Sequence, residues 1–188
     1  MTNYFKVLIS YLVMDDNTGT SKKKSTQIIV DAINYNDAEV TTAMIKDFFS
    51  LDELGGVTYD ISRVRISNLI IDINNTHTST SEEDIESLNK LTLVSENDGD
   101  INSSDDGFGI YKATFRYSNL DDKMMNENVH VMTDSMDEAN NIVKLYMNKY
   151  HSGGAIIKID KQKESSMLLS KDSVKNAKEI YTTLTGNS

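Results

Sequence analysis

The sequence predicts an α+β protein in which a β-β-α-β unit, a three-stranded sheet rich in antiparallel pairs with one helix, occurs twice. The first observation is internal similarity: residues 4–11 recur as residues 110–117, with aromatic, Lys, apolar and Tyr residues in matching places. The second is the alternation of apolar and polar residues that is typical of strands. The third is a set of apolar stripes at helical spacing. We therefore predict a first unit over 1–73, a linker over 74–109, a second unit over 110–169 and a C-terminal helix over 170–188.

Each unit is predicted to begin with a β-hairpin. Residues 4–11 and 28–30 form the strands of the first hairpin, and residues 110–117 and 129–131 form those of the second. Successive side chains of a strand point to opposite faces, so the odd-numbered residues of the opening strands face the core. The second hairpin is five residues shorter, which a duplicated fold tolerates because hairpin loops lie at the surface.

A helix is predicted after each hairpin, and a third extended segment after each helix. Asn36 and Asp137 are the predicted N-caps, because each stands at the acidic start of an apolar stripe. The third segments are predicted over 64–73 and over 155–159, the latter with a continuation at 167–169. The apolar stripes consist of Val40, Met44, Phe48 and Leu51 in the first helix, and of Ala139, Ile142, Val143, Tyr146, Met147 and Tyr150 in the second.

The predicted terminal helix runs from about Asp172 to Leu184. One stripe carries its apolar residues, so we expect it to dock on the second unit. Those residues are Val174, Ala177, Ile180, Tyr181 and Leu184.

The linker concentrates the negative charge of the chain. The whole chain has a net charge of −10, and residues 74–109 contain nine acidic residues against the single base Lys90, a net charge of −8. The first unit carries −3 and the second carries +1. Residues 82–93 could form a short helix, with Ile85, Leu88 and Leu91 in register, and the remainder is predicted to be solvated.

Composition excludes several classes of protein and of site. The chain of 188 residues has no Cys, which excludes a disulfide scaffold, a thiolate zinc site and a cysteine nucleophile. No apolar run approaches the length of about 18 residues that a membrane-spanning helix needs, and the N-terminus lacks a signal-peptide pattern. We therefore expect a soluble protein of the cytoplasm without membrane contact.

No pattern of residues indicates catalysis, a metal site or a cofactor. Residues 98–102 begin like a calcium loop, but the sixth and twelfth places hold Ser and Gly where the EF-hand needs Gly and Glu. The histidines His77, His130 and His151 have no ligand spacing. The alternation around His130 predicts a surface side chain. We expect a protein that is not an enzyme and that has no cofactor.

The candidate binding site is a cationic sheet face. If the apolar residues face the core, basic side chains lie on the opposite face, where they can neutralise the backbone of single-stranded nucleic acid. Only Tyr4 offers a ring for base stacking there. The alternative is an ordinary solvated sheet face, apolar inward and polar outward. The candidate residues are Lys6, Arg63, Arg65, Lys112, Arg116 and Lys158.

Motifs in both halves are similar to those of a known family. The first half has an opening strand of the form aromatic-Lys-Val-x-Ile-x-Tyr, a charged hairpin and the run Ile-Val-Asp-Ala-Ile-Asn-Tyr-Asn-Asp-Ala-Glu over 29–39. The second half matches through Tyr111-Lys112 and Glu138-Ala139. These motifs resemble an uncharacterised family of small, duplicated proteins from Bacteroidetes bacteria and their phages. The family is a domain of unknown function, so the resemblance implies a duplicated fold but no catalytic residues.

Three hypotheses for the function remain open. The first is a non-enzymatic binding or adaptor protein, encoded by a phage or mobile element and acting on an unidentified protein partner in the host cytoplasm. The second is a single-stranded nucleic-acid-binding accessory of replication or recombination. The third is a virion or assembly component. The sequence leaves the oligomeric state open.

Overall fold

The computed structural model describes residues 3–14, 19–49, 55–79, 91–96, 107–151, 154–164 and 166–186. Within these ranges the chain is α+β, with ten strands in two mixed sheets and three helices, the last of them C-terminal. The predicted class and the terminal helix are confirmed. The elements in chain order are β1 (Asn3–Met14), β2 (Ser21–Ala32), α1 (Tyr35–Phe49), β3 (Gly55–Val64), β4 (Leu69–Ile71), β5 (Thr76–Ser79), β6 (Leu91–Glu96), β7 (Gly109–Ser118), β8 (Met124–Thr133), α2 (Met136–Tyr150), β9 (Ala155–Lys161), β10 (Ser166–Ser170) and α3 (Lys171–Thr185).

The first sheet has the strand order β3-β1-β2-β10-β6-β5. β1 and β2 form the first predicted hairpin and pair antiparallel along their whole length. Phe5, Val7 and Ile9 are buried on one face of β1, as the alternation predicts. The third strand is misplaced in the prediction over 64–73, because β3 begins at Gly55 and ends at Val64.

The second sheet has the order β4-β8-β7-β9, so β9, β7 and β8 follow one another as β3, β1 and β2 do. β7 pairs antiparallel with both β8 and β9, which confirms the second hairpin and its third strand. The register shifts once in the β1–β3 ladder and once in the β7–β9 ladder. The strand orders therefore correspond, while the internal duplication and the unit boundaries stay predictions.

Each sheet also contains a short parallel strand from the other half of the chain. β4, from the first half, pairs with β8 and places Ile70 beside Val131. β10, from the second half, pairs with β2 and places Leu168 beside Val30. All four of these side chains are fully buried. Separating the two halves would therefore break both sheets.

Three hydrophobic clusters fill the space between the sheets and the helices. α1 covers one face of the first sheet, and α2 covers one face of the second sheet. The remaining faces of the two sheets meet in the third cluster, to which α3 adds Val174 and Ala177. α3 also adds Tyr181 to the cluster under α2, so it docks on the second sheet as predicted. The residues between the sheets are Ile29, Val94, Met167 and Leu169 from the first sheet, and Leu69, Ile71, Ile110 and Met132 from the second.

The first helix begins at Tyr35, one residue before its predicted cap at Asn36. Asn34 takes that role, because its Oδ1 accepts a hydrogen bond from the backbone N–H of Asp37 at 3.0 Å. In return the carboxylate of Asp37 accepts from the backbone N–H of Ile33 at 2.9 Å. Val40, predicted to face the core, is exposed. The remaining residues of the predicted stripe, Met44, Phe48 and Leu51, have side chains outside the described part of the structure.

The second helix also begins earlier than predicted. Ser135, rather than Asp137, is its N-cap, with a hydroxyl that accepts from the backbone N–H of Glu138 at 3.2 Å. Its predicted stripe is buried as far as Met147, whereas Tyr150 is half exposed. The helix itself and the face that it buries are thus predicted well from the period of its apolar residues.

Part of the predicted linker belongs to the first sheet. β5 and β6 pair with each other, and β6 pairs with β10. The predicted helix over 82–93 is wrong at its end, because Leu91 and Leu93 lie in β6 and are buried in the cluster under α1. Val94 is buried on the opposite face, so β6 is covered on both sides. Residues 82–90 and 97–106 lie outside the described part of the chain.

Asp31 holds the end of the exchanged strand β10, and removing its carboxylate should destabilise the fold. The buried carboxylate accepts hydrogen bonds from the backbone N–H and the hydroxyl of Ser170, both at 2.8 Å. Asp31→Ala leaves the backbone N–H of Ser170 without an acceptor and the hydroxyl with only Oγ of Ser173, so we expect the free energy of unfolding to fall by about 2–3 kcal/mol in urea titrations. Asp172→Ala, at an exposed position in the first turn of α3, is the control and should lose about 0.5 kcal/mol. Equal losses in the two variants would contradict this role of Asp31.

Candidate functional site

The structure separates the predicted cationic face into three places. The faces opposite α1 and α2 meet each other through the third cluster, so they do not form one open surface. The six residues are distributed as Lys6 on β1, Arg63 and Arg65 at the end of β3, and Lys112, Arg116 and Lys158 on the second sheet.

Lys6 is engaged by a buried carboxylate. Its Nζ lies 3.1 Å from Oε1 of Glu164, whose side chain is only 6% exposed. A buried carboxylate without a cationic partner destabilises a fold strongly. Lys6 therefore neutralises Glu164 in the connection between β9 and β10.

Arg63 and Arg65 line a cleft where the chain leaves β3 for β4. This arginine cleft has a volume of about 710 Å³ and is lined by Asn3, Tyr4, Arg63, Val64, Arg65, Ile66 and Ser67. Arg63 pairs with Phe5 in the β1–β3 ladder, so its predicted position on the same face as Lys6 is wrong. Its guanidinium Nη2 donates a hydrogen bond to Oδ1 of Asn3, a neutral partner. The cleft thus combines two guanidinium groups with a lining that contains no acidic residue.

Three residues that line the arginine cleft pack against the hydrophobic cluster between the sheets. Tyr4, Val64 and Ile66 are partly buried against the cluster between the sheets. Burial, and then the charge of Asp31, raises the pKa of Tyr4, while a hydrogen bond with Ser173 lowers it. The phenol is therefore neutral at physiological pH and brings no negative charge to the cleft.

Residues 65–67 form one wall of the cleft, and the next residue, Asn68, anchors this segment to the second sheet. The backbone N–H of His130 donates to the carbonyl oxygen of Asn68 at 2.8 Å. The amide of Asn68 donates to Oε1 of Glu127, also at 2.8 Å. The wall is thus held between the two sheets before any ligand binds.

Glu127 also belongs to a cluster of polar side chains, with Tyr146 and His151, that the sequence analysis did not predict. Its Oε1 also accepts from the hydroxyl of Tyr146 at 3.0 Å, and its Oε2 lies 3.3 Å from Nε2 of His151. The imidazole is packed on the ring of Tyr117, with centroids 3.9 Å apart. Burial and the carboxylate of Glu127 raise the pKa of Tyr146. The cluster ties β8 to the end of α2, and Glu127 connects it to the wall of the cleft.

Lys112, Arg116 and Lys158 form a basic strip on the face of the second sheet that is opposite α2. Thr114 and Lys158 are paired in the β7–β9 ladder, which places Lys158 on the face of Lys112. Exposure rises along β7, since Lys112 is half-buried and Arg116 is exposed. Two asparagines of β8 accept hydrogen bonds on this face. Oδ1 of Asn128 accepts from the hydroxyl of Thr114 at 2.7 Å, and Oδ1 of Asn126 accepts from Nε of Arg116 at 3.1 Å. Lys158 also forms an ion pair with Asp160 at 2.7 Å.

An apolar tip ends the second hairpin. Asn119 fixes the turn, because its Oδ1 accepts from the backbone N–H groups of Asp121 and Lys123. This ordered turn nevertheless leaves Leu120 fully exposed, with Met124 and Met125 beside it in the following strand. A rigid, exposed group of apolar side chains favours contact with another protein.

The comparisons with known proteins give no identity. No family model, curated protein or solved structure matches the chain. The resemblance to the duplicated family of unknown function stays a prediction. Among the described residues, no group of three acidic or His side chains is placed to hold a metal ion. None of the described helices has the length and hydropathy that crossing a membrane would require.

His130 is buried, so the prediction of a surface side chain is wrong. It faces the cluster between the sheets, beside Leu69 of the exchanged strand β4 and Lys112 of β7. Its Nδ1 has no hydrogen-bond partner in the described part of the chain. Burial, and then the charge of Lys112, lowers its pKa from the usual 6.5 to about 4.

This pKa predicts a loss of stability in mild acid. Between pH 6.5 and about 4 the unfolded chain binds a proton at His130 that the folded chain does not, so stability falls as the pH falls through this window. We expect the free energy of unfolding to drop by about 2 kcal/mol more in the wild type than in His130→Leu between about pH 7.5 and about pH 5. His77→Gln, at an exposed position, should retain the wild-type dependence. Identical pH profiles of the wild type and His130→Leu would contradict the prediction.

Proposed function

We propose that this chain is a non-enzymatic binding protein and that the arginine cleft receives an anionic group of a protein partner. The observation that carries the proposal is the cleft itself, whose lining contains Arg63 and Arg65 but no acidic residue. Guanidinium groups bind carboxylates through pairs of parallel hydrogen bonds, and they lose less hydration energy than an ammonium group does.

The two arginines are available to a ligand. Arg65 is exposed, and no acidic side chain of the described residues forms an ion pair with it. The hydrogen bond of Arg63 to Asn3 uses one of the five N–H donors that a guanidinium has. A carboxylate entering the cleft would therefore gain charge-assisted hydrogen bonds without displacing an ion pair between described residues.

The cleft is organised before a ligand binds. Tyr4, Arg63 and Val64 belong to the β1–β3 ladder, and Asn3 is paired with β2. The segment that follows β3 is fixed by the two hydrogen bonds of Asn68. A preformed site avoids the entropy that ordering a loop would require. This rigidity supports a site for recognition.

The size and lining of the cleft favour a peptide segment over a small free ion. A volume of about 710 Å³ exceeds what a single carboxylate needs, and Tyr4, Val64 and Ile66 add apolar groups to the lining. An acidic segment with apolar residues beside its carboxylates fits both properties. The exposed tip around Leu120 offers a second apolar contact to a protein.

Binding of an acidic peptide tests the cleft directly. We expect a fluorescein-labelled hexaglutamate peptide to bind the purified chain, and Arg63→Ala with Arg65→Ala to weaken binding at least about tenfold in anisotropy titrations. The control is Lys144→Ala with Lys175→Ala, which removes two positive charges from exposed helix positions. Equal weakening in the two double variants would show that only net charge matters and would contradict the proposal.

A crosslinking pull-down from cells that contain the protein tests the protein partner. The wild type and the Lys144→Ala, Lys175→Ala bait should capture the same partner, and the Arg63→Ala, Arg65→Ala bait should lose it. Failure to capture a reproducible protein partner with the wild type would count against an adaptor function.

The basic strip favours single-stranded nucleic acid as a second candidate function. Lys112 and Arg116 lie in line along β7, and the Thr and Asn side chains beside them are groups that contact phosphate oxygens in other complexes. Tyr117, the ring next to Arg116, faces the cluster under α2 instead. The strip thus offers backbone neutralisation without base stacking, which supports weaker binding than an aromatic sheet face would give.

The strip is tested by retention of a labelled deoxythymidine oligonucleotide. If this second function holds, retention should fall steeply with salt and be lost in Lys112→Glu with Arg116→Glu, because neutralised phosphates release counterions. Lys144→Glu with Lys175→Glu is the charge-matched control and should retain binding. Retention that is independent of salt, or unchanged in the strip variant, would exclude this function.

A further inference from the structure

The second sheet ends in β9, and no described strand pairs with the outer edge of β9. The unpaired N–H and C=O groups of an edge strand can pair with another chain. In β9 this edge is accessible, since Ile157 is 52% exposed and the side chain of Lys158 is 65% exposed.

The charges of β9 are arranged so that the strand is complementary to itself. Lys158 and Asp160 are two residues apart and lie on the same face, where they form an ion pair at 2.7 Å. A two-fold axis perpendicular to the sheet at Ile159 would pair two copies of β9 antiparallel. It would place Lys158 opposite Asp160 of the second copy, and Asp160 opposite Lys158 of the second copy, with Ile159 opposite Ile159.

The other edge strands do not have this property. Such an axis keeps each side chain on its own face, so residues opposite each other must be an even number of positions apart. In β3, Asp60 and Arg63 are three positions apart and point to opposite faces. β4 has three apolar residues, and β5 has no acidic or Lys/Arg residue. The antiparallel charge match is thus specific to β9 among the described edges.

We propose that two copies of this chain associate through β9, antiparallel and centred on Ile159, to form a continuous eight-stranded sheet. The cross-strand ion pairs replace the ion pair within each strand, and opposite charges directly across an antiparallel pair stabilise it. Ile159, partly buried under α2, gains an apolar neighbour from the second copy. This dimer uses a surface distinct from the arginine cleft.

The irregularity of β9 limits the strength of this dimer. The register shifts between Thr114 and Phe115, which leaves Ile157 as an extra residue in β9. With the axis at Ile159, Lys161 would face this extra residue of the second copy. Regular pairing therefore spans the residues from Lys158 to Asp160, and the small interface implies a dimer that dissociates on dilution.

Charge reversal tests the pairing register in the full-length protein. Sedimentation velocity over an about hundredfold range of concentration should show a reversible monomer–dimer equilibrium for the wild type. Lys158→Asp alone and Asp160→Lys alone should each be monomeric, because each places like charges opposite each other across the axis. The double variant, Lys158→Asp with Asp160→Lys, should recover the wild-type dimer.

Mixing the two single variants provides the sharpest test. An equimolar mixture of Lys158→Asp and Asp160→Lys should form a heterodimer, detected by its mass in native mass spectrometry, because every charge then faces its opposite. The control exchanges the exposed pair on α3, Lys175→Glu with Glu179→Lys, and should dimerise like the wild type. Circular dichroism of each variant checks that the fold is retained.

Three results would overturn the proposal: a wild type that stays monomeric at every concentration, single variants that dimerise like the wild type, or a mixture that stays monomeric. None of these results bears on the arginine cleft, because hexaglutamate binding is measured separately.

Discussion

The fold depends on the exchange of two short parallel strands between the halves of the chain. β4 completes the second sheet and β10 completes the first. A polar anchor fixes the end of each strand: Asp31 accepts from Ser170 after β10, and Asp72 accepts from the hydroxyl of Thr133 at 2.8 Å after β4. Because buried polar groups need their partners, these anchors make the exchange specific as well as stable. Neither half could bury its sheet alone, since each lacks the strand that the other supplies.

The exchange also determines where a ligand can bind. The connection that carries β4 across to the second sheet is the segment with Arg65 and Asn68, so the arginine cleft forms where the chain crosses from one sheet to the other. The same crossing places Leu69 beside His130 and covers part of the sheet face that was predicted to carry the cations. Arg63 and Arg65 therefore belong to a different surface from the basic strip, and the six predicted cations do not form one extended path for nucleic acid.

The sequence predicts what depends on local periodicity and misses what depends on long-range pairing. Both hairpins, α2 and α3 follow from apolar periods of two and 3.6 residues. The run of Ile28, Ile29 and Val30 is apolar on both faces, which is the signal for a strand covered on both sides. Pairing of β4 with β8 leaves no such signal, because Leu69 and His130 are far apart in the chain. The burial of His130 could therefore not be predicted. The arginine cleft could not be predicted either, because it forms only where the chain crosses from β3 to β4.

The proposed dimer would bring two arginine clefts into one assembly. The chain has three arginines among 19 basic residues, and two of them line one cleft. One such cleft, open and small, gives modest affinity for an acidic segment, and the net charge of −10 opposes the approach of any acidic partner. Pairing through β9 would give one assembly two identical clefts related by the two-fold axis. A partner with two acidic segments could then engage both, and the second contact would form at a high effective concentration, so that modest sites together bind tightly.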